Sequence, residues 1–237
     1  MQENQIVSEL LKKERYSFED LKTITAFLRS ENGCPWDREQ DHHSIRPNLI
    51  EETYEVVEAI DTENSELLRE ELGDLLFQIT FHAQLEREAG SFDVDDVVDE
   101  ICKKMVTRHP HVFGDVTAET SAQVLKNWDA IKTEEKQRRT LEDKLRAIPP
   151  MMPSLMRAVK VCNKAGCAQE GTLTESLNAI ATDLSDLEKS LNSADAKTFV
   201  GRLLLDTACL CARLGVDAEH ALQNEIEDLI NKIAQNQ

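Results

Sequence analysis

Six carboxylates in two neighbouring segments have the types and spacing to do chemistry. They are Glu51, Glu52, Glu55 and Glu58 in NLIEETYEVVEAI, and Glu71 and Asp74 in REELGDLLFQITFHAQ. On a helix, at about 100° per residue, the first four fall within an arc of roughly 120°. Leu49, Ile50, Tyr54, Val56, Val57 and Ile60 take the opposite side, which reads as a core face. In the second segment apolar residues from Leu68 to Ala83 wrap most of the helix, a pattern that predicts burial. Glu71 and Asp74 stand one turn apart on it, Gln78 and His82 continue their stripe, and no Lys or Arg interrupts it. Buried carboxylates are costly unless they are paired or hold a cation. The expected arrangement is therefore E-E-x-x-E on one helix facing E-x-x-D on the next. Such an oxygen-only set suits Mg²⁺, with Mn²⁺ as a substitute. A di-iron centre uses E-x-x-H pairs, and neither Glu52/Glu55 nor Glu71/Asp74 has a His in that place. The plainer reading of Glu51 to Glu58 is a solvated acidic face.

Helical periodicity covers the segments that must carry these residues and most of the rest. It predicts helices at 17–30, 48–61, 65–88, 92–108, 121–139, 154–165, 174–192, 196–214 and 217–235. Loops are expected at ENGCPWD, at 111–120 and around Pro149, Pro150 and Pro153. No stretch alternates as a strand. The fold class is all-α and four-helix-bundle-like, in two tandem halves, 1–148 and 149–237. A weak repeat joins Gly73-Asp74-Leu75-Leu76 to Gly201-Arg202-Leu203-Leu204.

The chain has 237 residues, with 27 Lys and Arg against 45 Asp and Glu, a net charge of -18 and a pI near 4.7. That balance argues against nucleic acid or an anionic membrane as a partner. No apolar run approaches the roughly 20 residues of a membrane span. The N-terminal segment lacks a signal-peptide core, so a cytoplasmic address is expected. Six cysteines form no C-x-x-C pair. They read as reduced, mostly buried thiols and not as a zinc site.

Beyond the carboxylates, five segments carry a family resemblance: ENGCPWDREQ, LIEETYEVVEAI, EELGDLLFQITFHAQ, RHPHVFGD and NWDAIKTEE. Over roughly residues 20–140 the chain resembles MazG, within the all-α nucleoside triphosphate pyrophosphatases. The resemblance implies Mg²⁺-dependent hydrolysis of a nucleoside triphosphate to the monophosphate and pyrophosphate, by a helical homodimer. It implies metal ligands at Glu52, Glu55, Glu71 and Asp74, with Glu51 or Glu55 taking a proton from the attacking water. Lys104 and Arg108 resemble a phosphate-binding pair. Trp128 would stack on the nucleotide and Lys132 would meet its phosphates. Trp36 and Asp37 would line the base pocket. Without the resemblance, Lys104 and Arg108 read as helix-end charges complementing the macrodipole. His109 and His111 read as loop packing, and His42 and His43 as solvent-facing.

The second half departs from the motif. Asp183 and Asp186 remain acidic, but Phe199 and Arg202 stand where the E-x-x-D pair belongs. Asp228 and Lys232 replace the basic pair, and AGCAQEG has no Trp. This half is expected to be degenerate, with Arg202 pairing Asp183 or Asp186. Two alternatives stay open. One is a non-catalytic acidic helical protein that binds a partner. The other is a related phosphohydrolase acting on dUTP, a histidine-pathway intermediate or an alarmone.

Overall fold

Ser17, Asn64 and Asp93 start three of the helices that frame the carboxylates. Ser17 and Asp93 form capping boxes with Asp20 and Asp96, and the Asn64 side chain accepts from the amides of Glu66 and Leu67. Each satisfies backbone N–H groups that a helix start leaves open. The computed structural model describes residues 2–135, 140–167, 171–191 and 195–236. Helices are α1 (Gln2–Leu10), α2 (Phe18–Leu28), α3 (Pro35–Glu39), α4 (Arg46–Asp61), α5 (Ser65–Glu88), α6 (Val94–Arg108), α7 (Pro110–Phe113) and α8 (Ser121–Glu135). They continue with α9 (Leu141–Arg146), α10 (Ser154–Ala165), α11 (Leu173–Ser190), α12 (Ala196–Leu214) and α13 (Ala218–Gln235). The described residues contain no strand, so the fold is all-α as expected. Periodicity missed α1, α3, α7 and α9, which are short or lie in segments rich in breakers. The expected end of the 121–139 helix, 136–139, lies outside the described residues.

The chain divides into two compact units, Met1–Val124 and Leu125–Gln237. The division falls within α8, earlier than the proline-rich break at 149–153. In the first unit α5 is the central helix, packed by α2, α4 and α6. Phe81 is 2% exposed, and buried Thr25 and Thr80 bring their hydroxyls to 3.4 Å across α2 and α5. Arg29 of α2 lies over the Phe81 ring and donates to both Glu88 carboxylate oxygens. It also donates to the carbonyls of Asp37 and Gln40, and so fixes the CPWD segment against α2 and α5.

Two faces differ from expectation. On α4 the stripe of Glu52, Glu55, Val56 and Ala59 is the covered one, and Ala59 is 1% exposed. Ile50, Tyr54, Val57 and Ile60, expected as core, are exposed. The carboxylate face of α4 turns inward, toward Glu71 of α5. On α5 the buried residues are Gln78, Thr80, Phe81 and Ala83, while Leu72, Leu76 and Ile79 are exposed. Glu71 is half-buried and Asp74 exposed, so neither is buried in the way the apolar wrapping predicted.

In the second unit α12 packs against α10, α11 and α13. Cys162 of α10 and Cys209 of α12 form a disulfide, which corrects the expectation of reduced thiols. A separation of 47 residues hides that pair in the sequence; packing of α10 on α12 creates it. Cys102 and Cys167 are exposed and Cys34 and Cys211 half-buried, so the free thiols are not mostly buried either.

Candidate metal centre and nucleotide site

A three-residue connection, 62–64, folds α4 back along α5, and Glu63 takes the left-handed conformation at φ 52. Ala59, with a one-carbon side chain, keeps the two helices close at that end. The hairpin brings one carboxylate oxygen from each of Glu52, Glu55 and Glu71 within 4.8 Å of one another. It is the one such group of three or more His, Cys, Asp or Glu among the described residues. Partial burial, a hydrogen bond with Glu55 and the charges of Glu55, Asp74 and Glu71 push Glu52 up to about 7. Glu71 is also raised, first by partial burial and then by Glu55, Asp74, Glu70 and Glu58. No Lys or Arg among the described residues pairs with the triplet. Three crowded carboxylates without a cationic side chain repel one another, and a hard divalent cation relieves that repulsion. The donor set therefore fits a metal ion.

The other sequence candidates sit differently. Asp74 does not join the triplet, although its charge raises both Glu52 and Glu71. Glu51 is exposed and also outside it. Lys104 is engaged by Glu100 at 3.1 Å. Arg108 is buried, 7% exposed, in the last turn of α6. Asp37 is buried, while Trp36 beside it on α3 is 56% exposed. Trp128 and Lys132 lie on the part of α8 that belongs to the second unit. Lys132 lines a cavity there with Lys144, Lys160 and Lys164.

Sequence reasoning missed one cluster in the first unit. His42, expected to be merely solvent-facing, places Nδ1 2.8 Å from His82 Nδ1 and Nε2 2.9 Å from Glu86. The rings stack with centroids 5.1 Å apart. Burial, then the charge of His42, lowers the His82 pKa. The signal available was the i, i+4 spacing of Gln78, His82 and Glu86 on the stripe that begins at Asp74. His109 bonds the Met105 carbonyl, and its ring lies tilted beside that of His111, which stands on α7 and not in the loop expected there.

In the second unit Asp183 is 4% exposed, and Arg202 Nη1 lies 3.8 Å from its Oδ1. Arg202 thus takes the partner that its position suggested. Asp206, which the sequence reading did not single out, is raised by burial and by a hydrogen bond with Asp183. A guanidinium and two hydrogen-bonded carboxyls stand here, and no metal-type triplet forms among the described residues.

A long helix hairpin that gathers three carboxylates offers the oxygen donor set of a hard divalent cation. Residues 40–113 match the MazG nucleotide pyrophosphohydrolase domain. The nucleoside triphosphate pyrophosphohydrolase of Escherichia coli (strain K12) is 42% identical over 217 residues, 87% of this chain and 82% of that protein. The nucleoside triphosphate pyrophosphohydrolase/pyrophosphatase MazG of Thermotoga maritima is 36% identical over 221 residues, 91% of this chain and 83% of that protein. The nucleoside triphosphate pyrophosphohydrolase of Mycobacterium tuberculosis is 33% identical over 191 residues, 79% of this chain and 58% of that protein. The chain belongs to the MazG family of nucleoside triphosphate pyrophosphohydrolases. No helix among the described residues is long and apolar enough to cross a membrane.

Proposed function

We propose that this chain, a hydrolase of phosphoric anhydrides by family, cleaves nucleoside triphosphates to the monophosphate and pyrophosphate at the Glu52/Glu55/Glu71 cluster. The observation that carries the site is the triplet itself: three carboxylates, one raised to about 7, with no cationic partner among the described residues, inside the matched domain. Glu52, Glu55 and Glu71 would hold a divalent cation, Mg²⁺ in this reading, and Asp74 one turn from Glu71 would complete or steady the set. When bound, the cation supplies positive charge to the phosphates and lowers the pKa of water.

The chain's own residues do the rest. Glu55 is the hydrogen-bond partner of Glu52 within the triplet, at its exposed edge with Glu51 one turn before it. Glu55 or Glu51 takes the proton of the attacking water. Lys104 and Arg108 of α6 balance the charge that develops on the departing pyrophosphate. For Lys104 this requires exchanging Glu100, an exposed pair one turn away, for phosphate. Exposed pairs of that kind are worth only about 0.3–0.5 kcal/mol, so the exchange is cheap. Exposed Trp36 offers a ring for a base, beside buried Asp37. The catalytic form is a homodimer, with Ile50, Tyr54, Val57 and Ile60 of α4 as its apolar contact.

The test is pyrophosphate release from a panel of nucleoside triphosphates, with and without Mg²⁺, with products identified. Monophosphate and pyrophosphate should appear only with the divalent ion. Full turnover in excess chelator would remove the metal centre from this account.

A further inference from the structure

His42 reaches α5 from a turn whose backbone is already fixed. The Asp41 carboxylate accepts from the amides of His43 and Ser44, and the Ser44 hydroxyl accepts from the Asp41 amide. Ile45, next along the chain, is 3% exposed and anchors the start of α4. Upstream, the Gln40 side chain donates to the Trp36 carbonyl, and Arg29 holds the carbonyls of Asp37 and Gln40. The segment from Trp36 to Ser44 is thus stiff within itself, and His42 ties its far end to His82 and Glu86 of α5. The hydrogens in that tie follow from its partners. An ionised Glu86 carboxylate only accepts, so His42 Nε2 carries a hydrogen. The two Nδ1 atoms, 2.8 Å apart on rings 2° from parallel, share one hydrogen between them. His82 Nε2 is buried and meets no partner. The contact therefore closes with both rings neutral and accommodates one extra proton. With two, each Nδ1 carries a hydrogen, the bond between them is gone, and two cations face each other.

We propose that His42 and His82 are positioning residues: their contact holds the Trp36 segment against α5, and protonation of both rings releases it and weakens the grip on substrate. His82 and Asp74 lie eight residues apart on α5, about 12 Å along its axis. One rigid helix therefore carries the carboxylate centre and the anchor of the Trp36 segment, and fixes the distance between them. The groups that face the pair are few. Glu86 comes from α5 itself, and Asp41 and His43 from the turn. The Asp41 carboxyl is lowered first by the amides it accepts from, and only then by His43 and His42. Leu49 of α4, Phe92 and Val97 of α6 line the same cavity, and none of them titrates. On the α2 side Arg29 is held by Glu88. Burial and the charge of His42 keep the His82 pKa below the ordinary 6.5, so the fold favours the neutral ring. The contact is complete above 6.5 and is lost as pH falls below it. The substrate half of this inference rests on the reading of Trp36 as the ring for the base; the positioning half does not.

The experiment has an optical arm and a kinetic arm, both on the full-length chain. Trp128→Phe leaves Trp36 as the one tryptophan, and its emission is followed from pH 8 to pH 5 with helix content monitored by circular dichroism. One reversible transition below 6.5 is expected, with helix content constant. His82→Asn puts an amide donor in the place of Nδ1 and takes no second proton, so its emission should stay at the pH 8 value throughout. His82→Leu removes the contact, so its emission should show the released value already at pH 8. If that variant melts early, His42→Ala, on the more exposed partner, should give the same result. In the kinetic arm, without Trp128→Phe, the KM for a nucleoside triphosphate should rise about three- to tenfold on acidification, the worth of one neutral hydrogen bond. That rise is measured relative to His82→Asn, with kcat following the same profile in both. A wild type without the transition, an equal transition in His82→Asn, or wild-type emission in both His82→Leu and His42→Ala overturns the proposal. The expected emission with KM unchanged overturns the substrate half and the reading of Trp36, and leaves the carboxylate centre untouched.

Discussion

Glu52, Glu55 and Glu71 crowd together where no cationic side chain among the described residues meets them, and the cost is visible in Glu52, held near 7. Replacing Glu71 by Gln or Asp74 by Asn should lower kcat by at least about a hundredfold. The charge stabilisation supplied by a metal is worth several kcal/mol, and each 1.36 kcal/mol is tenfold. Both variants should stay folded, and in chelator they should melt no lower than wild type because like-charge repulsion is relieved. Near-wild-type turnover of both at saturating Mg²⁺ would remove them from the site. The pH dependence has a definite sign. Glu52 titrates about 7 in the fold against 4.5 ordinarily, so the fold favours its protonated form. Its contribution to stability is full below 4.5 and is lost as pH rises through 7. Metal-free protein should therefore lose part of its stability across that window, and Glu52→Gln should flatten the loss. Mg²⁺ should raise the melting temperature more at pH 8 than at pH 5, because protons compete for the same oxygens. An equal Mg²⁺ effect at both values would contradict this account of Glu52.

At the scale of elements, the CPWD segment depends on one glycine. A Cβ on Gly33 would stand 2.2 Å from the Phe27 carbonyl oxygen and 2.3 Å from that of Leu28, both in α2. Backbone cannot yield as a side-chain tip does, so Gly33→Ala should cost on the order of 1–3 kcal/mol, read from urea unfolding. It should also displace Trp36 and raise KM more than it lowers kcat; an unchanged melting curve would mean that the close approach is not needed. The long helices were legible because their apolar residues recur at helical spacing: 65–88 was expected and Ser65–Glu88 is found. Spacing put Glu51, Glu52, Glu55 and Glu58 on one stripe and Glu71 with Asp74 on the next; of these the structure gathers Glu52, Glu55 and Glu71 and leaves Glu51 and Asp74 out. Which face of α4 turns inward was not legible, because periodicity separates two faces without saying what covers either. Exposed Ile50 and Tyr54 carry the same pattern as a core face would. The Cys162–Cys209 bond and the lysine cavity were hidden for a related reason. They depend on which helices of the second unit lie side by side, and local spacing does not encode that.

At the scale of the whole molecule, α4 leaves Ile50, Tyr54, Val57 and Ile60 exposed opposite its carboxylates, and α5 leaves Leu72, Leu76 and Ile79. A soluble chain seldom leaves so many large apolar side chains together on adjoining helices unless another surface covers them, and a two-fold pair is the commonest closed assembly. Sedimentation at micromolar protein should give a dimer, and Tyr54→Glu with Val57→Glu should give monomers. An active wild-type monomer would contradict it. The two units should also be unequal in their chemistry. The first presents a carboxylate triplet. The second presents Asp183, 4% exposed, with the Arg202 guanidinium 3.8 Å away and Asp206 raised by burial and by its bond to Asp183. A fixed guanidinium neutralises the charge that a cation would otherwise meet and repels the cation itself. Binding of an ion stabilises only a state that holds its site. In the full-length chain carrying Glu52→Gln and Glu71→Gln, millimolar Mg²⁺ should therefore leave the melting temperature unchanged, and pyrophosphate release should fall to background. Restoring acidity with Arg202→Asp should not by itself return turnover, because Asp228 and Lys232 stand where the basic pair belongs. If the doubly substituted chain still gains stability from Mg²⁺ and still releases pyrophosphate, a second competent centre exists and the second unit is not degenerate.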